Sequence, residues 1–266
     1  MSKIDVSVVI PTFHRERELL EAVGSVLAQP GVSVEVIVMD DSAEGSGRVP
    51  IEALGDPRVR YFKRPVPSGG RPALVRNDGA RHAHGHYLVF LDDDDQLQDG
   101  ALRTLMHALE VNPAAGMAFG AVEPFGADAS DLRHNQEYFS KARRIARRLR
   151  GVREMGAVLV FCPAILINSA CMARRAVFAG AGGFDADIPV CEDADLWSRI
   201  AQQTGYVFID RPVVRYRTGA PSLMHSLVGN DERLRDSYRR IQQKYRAANG
   251  ALPALLMKAW ARLLVR

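Results

Sequence analysis

Four consecutive aspartates, Asp92 to Asp95, follow directly on the apolar run Tyr87-Leu88-Val89-Phe90-Leu91. Adjacent carboxylates repel one another, and a solvated turn has no need of four of them at the end of a buried strand. A divalent cation removes that repulsion. Mg²⁺ or Mn²⁺ takes hard oxygen ligands, uses one or two carboxylates and completes its shell with water and phosphate oxygens. The chemistry to expect is a cation that holds a diphosphate and stabilises it as a leaving group. His82, His84 and His86 alternate in a way that suggests a metal site. They straddle a helix end and Gly85, however, and read as a polar connection.

The elements that must carry these residues alternate along the first half of the chain. Val6 to Ile10 is a buried strand ended by Pro11, and Leu19, Leu20, Val23, Val26 and Leu27 recur at helical spacing. Val34 to Met39 is a second strand closed by Asp40-Asp41-Ser42, and Val59 to Phe62 a short third. After a Pro/Gly-rich loop, a helix is predicted over 73–83, then the strand that runs into the aspartates, then a helix through Leu102, Leu105, Met106 and Leu109. Such alternation implies an α/β fold with a mostly parallel sheet flanked by helices, whose ligands gather outside the carboxyl ends of the strands. Pro11-Thr12, Asp40-Asp41 and Asp92 to Asp95 all fall at such ends.

The second half is less regular. Gly182-Gly183-Phe184-Asp185 is a turn, Glu192 to Gln203 a helix stopped by Gly205, and the stretch after Tyr216-Arg217 that holds His225 reads as loop. Residues 231–246 form a charged helix, and Leu252 to Arg266 an amphipathic one with Lys258, Arg262 and Arg266 beside Leu255, Leu256, Trp260, Leu263 and Leu264.

No apolar run approaches the roughly 18 to 20 residues of a membrane-spanning helix, and the first residues lead straight into a strand, so no signal peptide is expected. Three cysteines cannot all pair within one chain, which favours a reduced, cytoplasmic setting. The net charge of +4 hides a segregation. Residues 141–153 carry seven cations and no acid, and 231–266 carry nine against three, which leaves the remaining chain at −9. Basic segments of this kind meet phosphate groups.

Val6-Ser7-Val8-Val9-Ile10-Pro11-Thr12-Phe13-His14-Arg15, the Asp40-Asp41-Ser42 strand end, Arg76-Asn77-Asp78-Gly79-Ala80, and Gly85 through Asp95 together resemble the family 2 glycosyltransferases of the GT-A fold. Cys191-Glu192-Asp193-Ala194-Asp195-Leu196-Trp197 resembles the same family's ED-containing catalytic segment. The resemblance covers residues 4 to about 220. It implies a GT-A catalytic domain over 1–230, with a nucleotide-sugar-binding half (1–120) and an acceptor and catalytic half (121–230), followed by a helical extension over 231–266. It implies an inverting transfer from a nucleotide-diphosphate sugar, a UDP-sugar above others, to a carbohydrate or lipid-linked acceptor in bacterial-type polysaccharide or glycoconjugate synthesis. Pro11, Thr12 and Asp41 would then line the base and ribose pocket, with Asp92 and Asp93 supporting metal and ribose. Asp94 would be the direct ligand of Mn²⁺ or Mg²⁺, and Asp193 the base. A late histidine often joins the metal in this fold, which points to His225. Arg71 and Arg76 are candidates for the diphosphate through the bidentate fork of their guanidinium. Where the family usually has Asn, this chain has His14.

Two other readings stay open. A nucleotidyltransferase also uses an α/β sheet and metal-binding aspartates, but needs a Gly-rich phosphate loop after strand one, where this chain has Pro-Thr-Phe-His-Arg-Glu. A nucleic-acid-binding role has the basic run in its favour and no recognition motif, so no nucleic-acid partner is expected. The basic run and the C-terminal helix allow peripheral contact with the inner face of a membrane; the helix equally allows packing on the body or on a second subunit.

Overall fold

β1 (Val6–Thr12), β2 (Val34–Asp40), β3 (Val59–Lys63) and β4 (Tyr87–Phe90) pair in parallel, in the order β3-β2-β1-β4. The computed structural model describes residues 3–162, 166–219 and 231–264. The connections are α1 (Glu16–Leu27) and α3 (Pro72–Arg81), as the spacing predicts, and a short α2 (Arg48–Glu52) where the sequence shows only a Gly/Ser-rich connection. β1 does not end at Pro11 but continues to Thr12, with Pro11 opposite Met39 of β2. The Val9 carbonyl accepts from Leu91 on the β4 side. Alternation therefore turns Pro11 to that same side, beyond the last β1–β4 pair at Val9 and Phe90, where its missing N–H breaks no ladder bond.

Beyond β4 the sheet becomes mixed. A two-residue strand β5 (Gln96–Leu97) and helix α4 (Ala101–Glu110) follow the aspartates, then β6 (Met117–Phe125), α5 (Ala129–Arg148) and α6 (Val152–Phe161). A 3₁₀ turn (Asn168–Ala170), β7 (Cys171–Arg174), α7 (Arg175–Gly180), α8 (Glu192–Thr204) and β8 (Tyr206–Arg217) come next. The full order is β3-β2-β1-β4-β7-β6-β8-β5, with β7 antiparallel to both neighbours and β8 parallel to β6. Tyr216-Arg217 ends β8, and the stretch around His225 that reads as loop lies outside the described residues. The basic run 141–153 is the last turns of α5, a corner at 149–151 and the start of α6.

Side-chain alternation splits the core in two. Val6, Val8 and Ile10 meet α1 and α4 on one face, while Val9, Leu88 and Phe90 meet α6, α8 and the C-terminal helices α9 (Asp231–Asn249) and α10 (Ala251–Leu264) on the other. Glycines permit two close approaches that position the site. A Cβ on Gly79 would stand 2.4 Å from Val9 Cγ1, so α3 lies directly on β1, and one on Gly85 would stand 2.5 Å from the Ser7 backbone nitrogen.

Candidate active site

The four aspartates leave β4 in different directions. The Asp92 N–H donates to Ser169 Oγ (3.1 Å) and its carboxylate accepts from Arg76 Nη2 (2.5 Å). Asp93 turns back under β1, where Thr12 Oγ1 donates to it at 2.7 Å and Arg15 Nη1 at 3.0 Å. The same Arg15 nitrogen reaches Asp94 Oδ2 at 2.5 Å. Asp95 is buried. Its Oδ1 accepts from the Arg217 N–H (3.1 Å), while its Oδ2 has no hydrogen-bond partner among the described residues. Arg217 Nε also donates to the Asp94 carbonyl (2.9 Å), so the end of β8 closes one side of the run.

From the far side comes the start of α8. Cys191 there has a left-handed backbone (φ 59°), strain of a kind found where a functional residue must be aimed. Glu192 is buried and pairs with Arg76 Nη1, and Asp193, half-buried, takes the N–H of Ala194 on Oδ1 (2.9 Å). Arg76, itself buried, therefore carries Asp92 on one nitrogen and Glu192 on the other, across 116 residues of sequence. Asn168 braces the same region, accepting from Trp197 Nε1 and donating to the Phe90 carbonyl, both at 3.2 Å.

Burial governs the electrostatics. It pushes the Asp93 carboxyl up to about 7 against the pull of Arg15, and raises Asp94 in the same way. Asp95 rises through burial and its aspartate neighbours. Glu192 and Asp193 are raised by burial against the opposing charge of Arg76. Among the described residues, six carboxyls gather around Arg15 and Arg76, with Arg217 shared with Glu21, so acids outnumber the cations paired with them. Hard oxygen donors, excess negative charge and the unpartnered Asp95 oxygen fit a divalent cation that shares its shell with phosphates. Among the described residues no three His, Cys, Asp or Glu side chains form a cage of their own. Such a cage is not needed by an ion that uses one or two carboxylates. His225 lies outside the described residues.

At the end of β2 the neighbouring aspartates divide. Asp40 is fully buried and saturated by Ser42, Gly47 and Tyr61, while Asp41 accepts from the Ser68 N–H (2.7 Å) and Oγ (2.5 Å) with Arg64 Nε at 3.3 Å. The Arg71 N–H donates to the same Ser68 hydroxyl, so Asp41 and Arg71 share one loop. Both terminal nitrogens of Arg76, by contrast, are taken by carboxylates. His14 adopts φ 54°, a left-handed conformation for which Asn is also suited, and its Nδ1 lies 3.0 Å from Glu44. Neither His82 nor His84 stands in a metal site: His82 stacks on Phe62, and His84 meets Glu35. Arg15 and Arg217 are residues that sequence reasoning left without a role. Arg15 had a signal, a cation three residues after the end of the first strand.

Residues 7–177 match the family model for Glycosyl transferase family 2. A GalNAc(5)-diNAcBac-PP-undecaprenol beta-1,3-glucosyltransferase of Campylobacter jejuni is 36% identical over 117 residues, which is 43% of this chain and 37% of that protein. The chain therefore spans little over a third of that relative's length. S. aureus TarS 1–349 in complex with UDP-GlcNAc superposes with a TM-score of 0.69 at 15% identity, over 98% of this chain and 70% of that one. The mannosyltransferase PcManGT from Pyrobaculum calidifontis, in complex with GDP-Man and Mn2+, gives 0.58 at 17% identity, over 99% and 81%. At such identities the likeness speaks for the fold, and the fold is the GT-A type expected from the motifs. The family match runs from β1 into α7 and includes all four aspartates. The site adds the Glu192-Asp193 pair, tied to Asp92 through Arg76, and the chain belongs to glycosyl transferase family 2.

Proposed function

We propose that this glycosyltransferase is metal-dependent and inverting, and moves a sugar from a nucleotide-diphosphate donor, uridine by preference, to a hydroxyl of a carbohydrate or lipid-linked acceptor. The observation that carries the reading is Arg76, which holds the aspartate run and the Glu192-Asp193 pair as one site. Asp193 is the base: its raised pKa suits it to take the proton of the acceptor hydroxyl as that oxygen attacks the anomeric carbon. Attack opposite the departing diphosphate inverts the anomeric centre. Pro11, Thr12 and Asp41 line the base and ribose pocket, with Asp93 toward the ribose. Arg71, on the loop that Asp41 braces, is the arginine offered to the diphosphate.

Asp94, with Asp92 beside it, would hold Mn²⁺ or Mg²⁺, and His225 is a further candidate ligand. A cation there supplies positive charge to the leaving nucleoside diphosphate. The two solved structures in complex with UDP-GlcNAc and with GDP-Man and Mn2+ support this chemistry by analogy of fold. Residues 1–230 would form the catalytic unit and 231–266 an extension to it. The Campylobacter relative's undecaprenol-linked substrate supports a lipid-linked acceptor here, met by a cytoplasmic protein in peripheral contact with the inner face of the membrane. The setting would be bacterial polysaccharide or glycoconjugate synthesis.

Donor hydrolysis and transfer, assayed with and without Mn²⁺ over a panel of nucleotide sugars, test the reading. Asp193→Asn is expected to lower turnover by about 10² to 10⁴-fold while nucleoside diphosphate still binds. Turnover without metal, or full activity of that variant, contradicts the mechanism.

A further inference from the structure

We infer that the outer face of α10 is a docking surface for an anionic lipid bilayer. α10 packs on α6 and α9 through one stripe: Ala254 and Ala261 are buried, and Met257, Trp260 and Leu264 lie against the core. The opposite stripe is open. Leu252, Leu255, Leu256 and Leu263 are 67%, 61%, 62% and 68% exposed. At the helical repeat these four and Ala259 fall within an arc of about 100°. Four exposed leucines on one short helix exceed the scattered apolar residues of an ordinary surface.

Charge selects the partner. Residues 251–264 contain no acid, and Lys258 and Arg262 border the leucine arc on one side. Lys258 sets its ammonium over the Phe161 ring of α6 (Nζ 5.9 Å from the centroid), which leaves Arg262 as the exposed cation of the border. The basic run leads into α6, the helix against which α10 packs. Arg143 and Arg147 are paired with Asp210, which leaves the exposed Lys141, Arg144, Arg148, Arg150 and Arg153 as the outward charge. An apolar arc bordered by cations is the pattern of a helix lying in the interface of an anionic membrane. A second copy docked face to face would instead bring two cationic borders together.

The surface lies one helix from the proposed chemistry. Val190 donates to Ser237 Oγ of α9 (3.2 Å), and Lys244 of α9 meets Asp185 and Asp195, so α9 passes the start of α8 before Gly250 (φ 86°) turns the chain into α10. This deepens the reading of a lipid-linked acceptor, but its test needs no turnover. The full chain is sedimented with phosphatidylglycerol/phosphatidylethanolamine vesicles and, separately, with phosphatidylcholine vesicles. Binding to the anionic vesicles is expected, with an affinity lowered about tenfold or more in Leu255→Asp/Leu256→Asp and several-fold in Arg262→Glu. A tryptophan placed on the open arc, Leu263→Trp, should be quenched by brominated acyl chains, while Trp197, which is fully buried, is spared. Absence of anionic binding, unchanged binding by the leucine variant, or no quenching of the Leu263→Trp chain overturns the docking surface. So does a dimer in the ultracentrifuge that the leucine variant splits. Failure here beside active transfer to a soluble acceptor leaves the transferase reading standing; vesicle binding without any transfer does the reverse.

Discussion

Four adjacent residues of α3 have four separate tasks. Arg76 spans Asp92 and Glu192; Asn77 clamps the Gly182–Asp185 turn, exchanging hydrogen bonds with both backbone groups of Phe184 (2.8 and 3.0 Å). Asp78 meets Arg64 and Arg81, and Gly79 lets the helix lie on Val9. Of these, Arg76 has the largest consequence, because a buried carboxylate stripped of its partner is an uncompensated charge. Arg76→Ala should cost about 3–5 kcal/mol in urea unfolding, since it strands the buried Glu192 beside Asp92 and Asp193. Arg76→Lys keeps the charge and loses the fork, so one carboxylate is released. That variant should keep most of the stability and lose about ten- to a hundredfold in kcat. Undiminished kcat in Arg76→Lys would show that the two carboxylates need no common tether.

Among the elements, the close approach of the β4 entry to β1 is the most demanding. Gly85 donates to Ser7 Oγ at 2.8 Å, and Ser7 Oγ donates to Glu35, which also takes His84 and Arg60. A methyl group on Gly85 would stand against the Ser7 backbone, which cannot move without disturbing the ladder to β2. Gly85→Ala should therefore destabilise the fold by about 1–3 kcal/mol, read as a lower urea midpoint. A neutral result would mean that β1 can shift as a unit. The parallel elements were legible because each shows its own period: continuous apolar residues in β1, β2 and β4, and helical spacing in α1 and α4. β8 was not, because Asp210-Arg211-Pro212 interrupts its alternation and reads as a turn. In the sheet the same residues sit at the register shift against Gly120 to Val122.

At the scale of the whole molecule, the C-terminal helices belong to the main core. Ile241, Tyr245, Ala254 and Ala261 are buried in the layer that holds Trp197, Phe90 and Val158. Their removal would bare that layer, so they should unfold with the body and not ahead of it. Ile241→Ala is expected to lower the stability of one cooperative transition by about 2–5 kcal/mol. A separate early loss of helical signal would instead make 231–264 an independent appendage. Among the described residues no helix is long and apolar enough to cross a membrane, and the leucine face of α10 is a surface feature of the same body.

Periodicity and local charge, which are properties of neighbouring residues, set out the first four strands, α1, α3 and α4, the aspartate run and the acidic pair. The sequence by itself left open the course of the second half and the partners of the arginines. Those were decided by tertiary structure, since Arg76 meets Glu192 across 116 positions, and Arg15 meets Asp93 and Asp94 across 78 and 79. Pairing at such separations depends on the strand order that brings β1, β4 and the start of α8 to one edge. No spacing along the chain encodes that order.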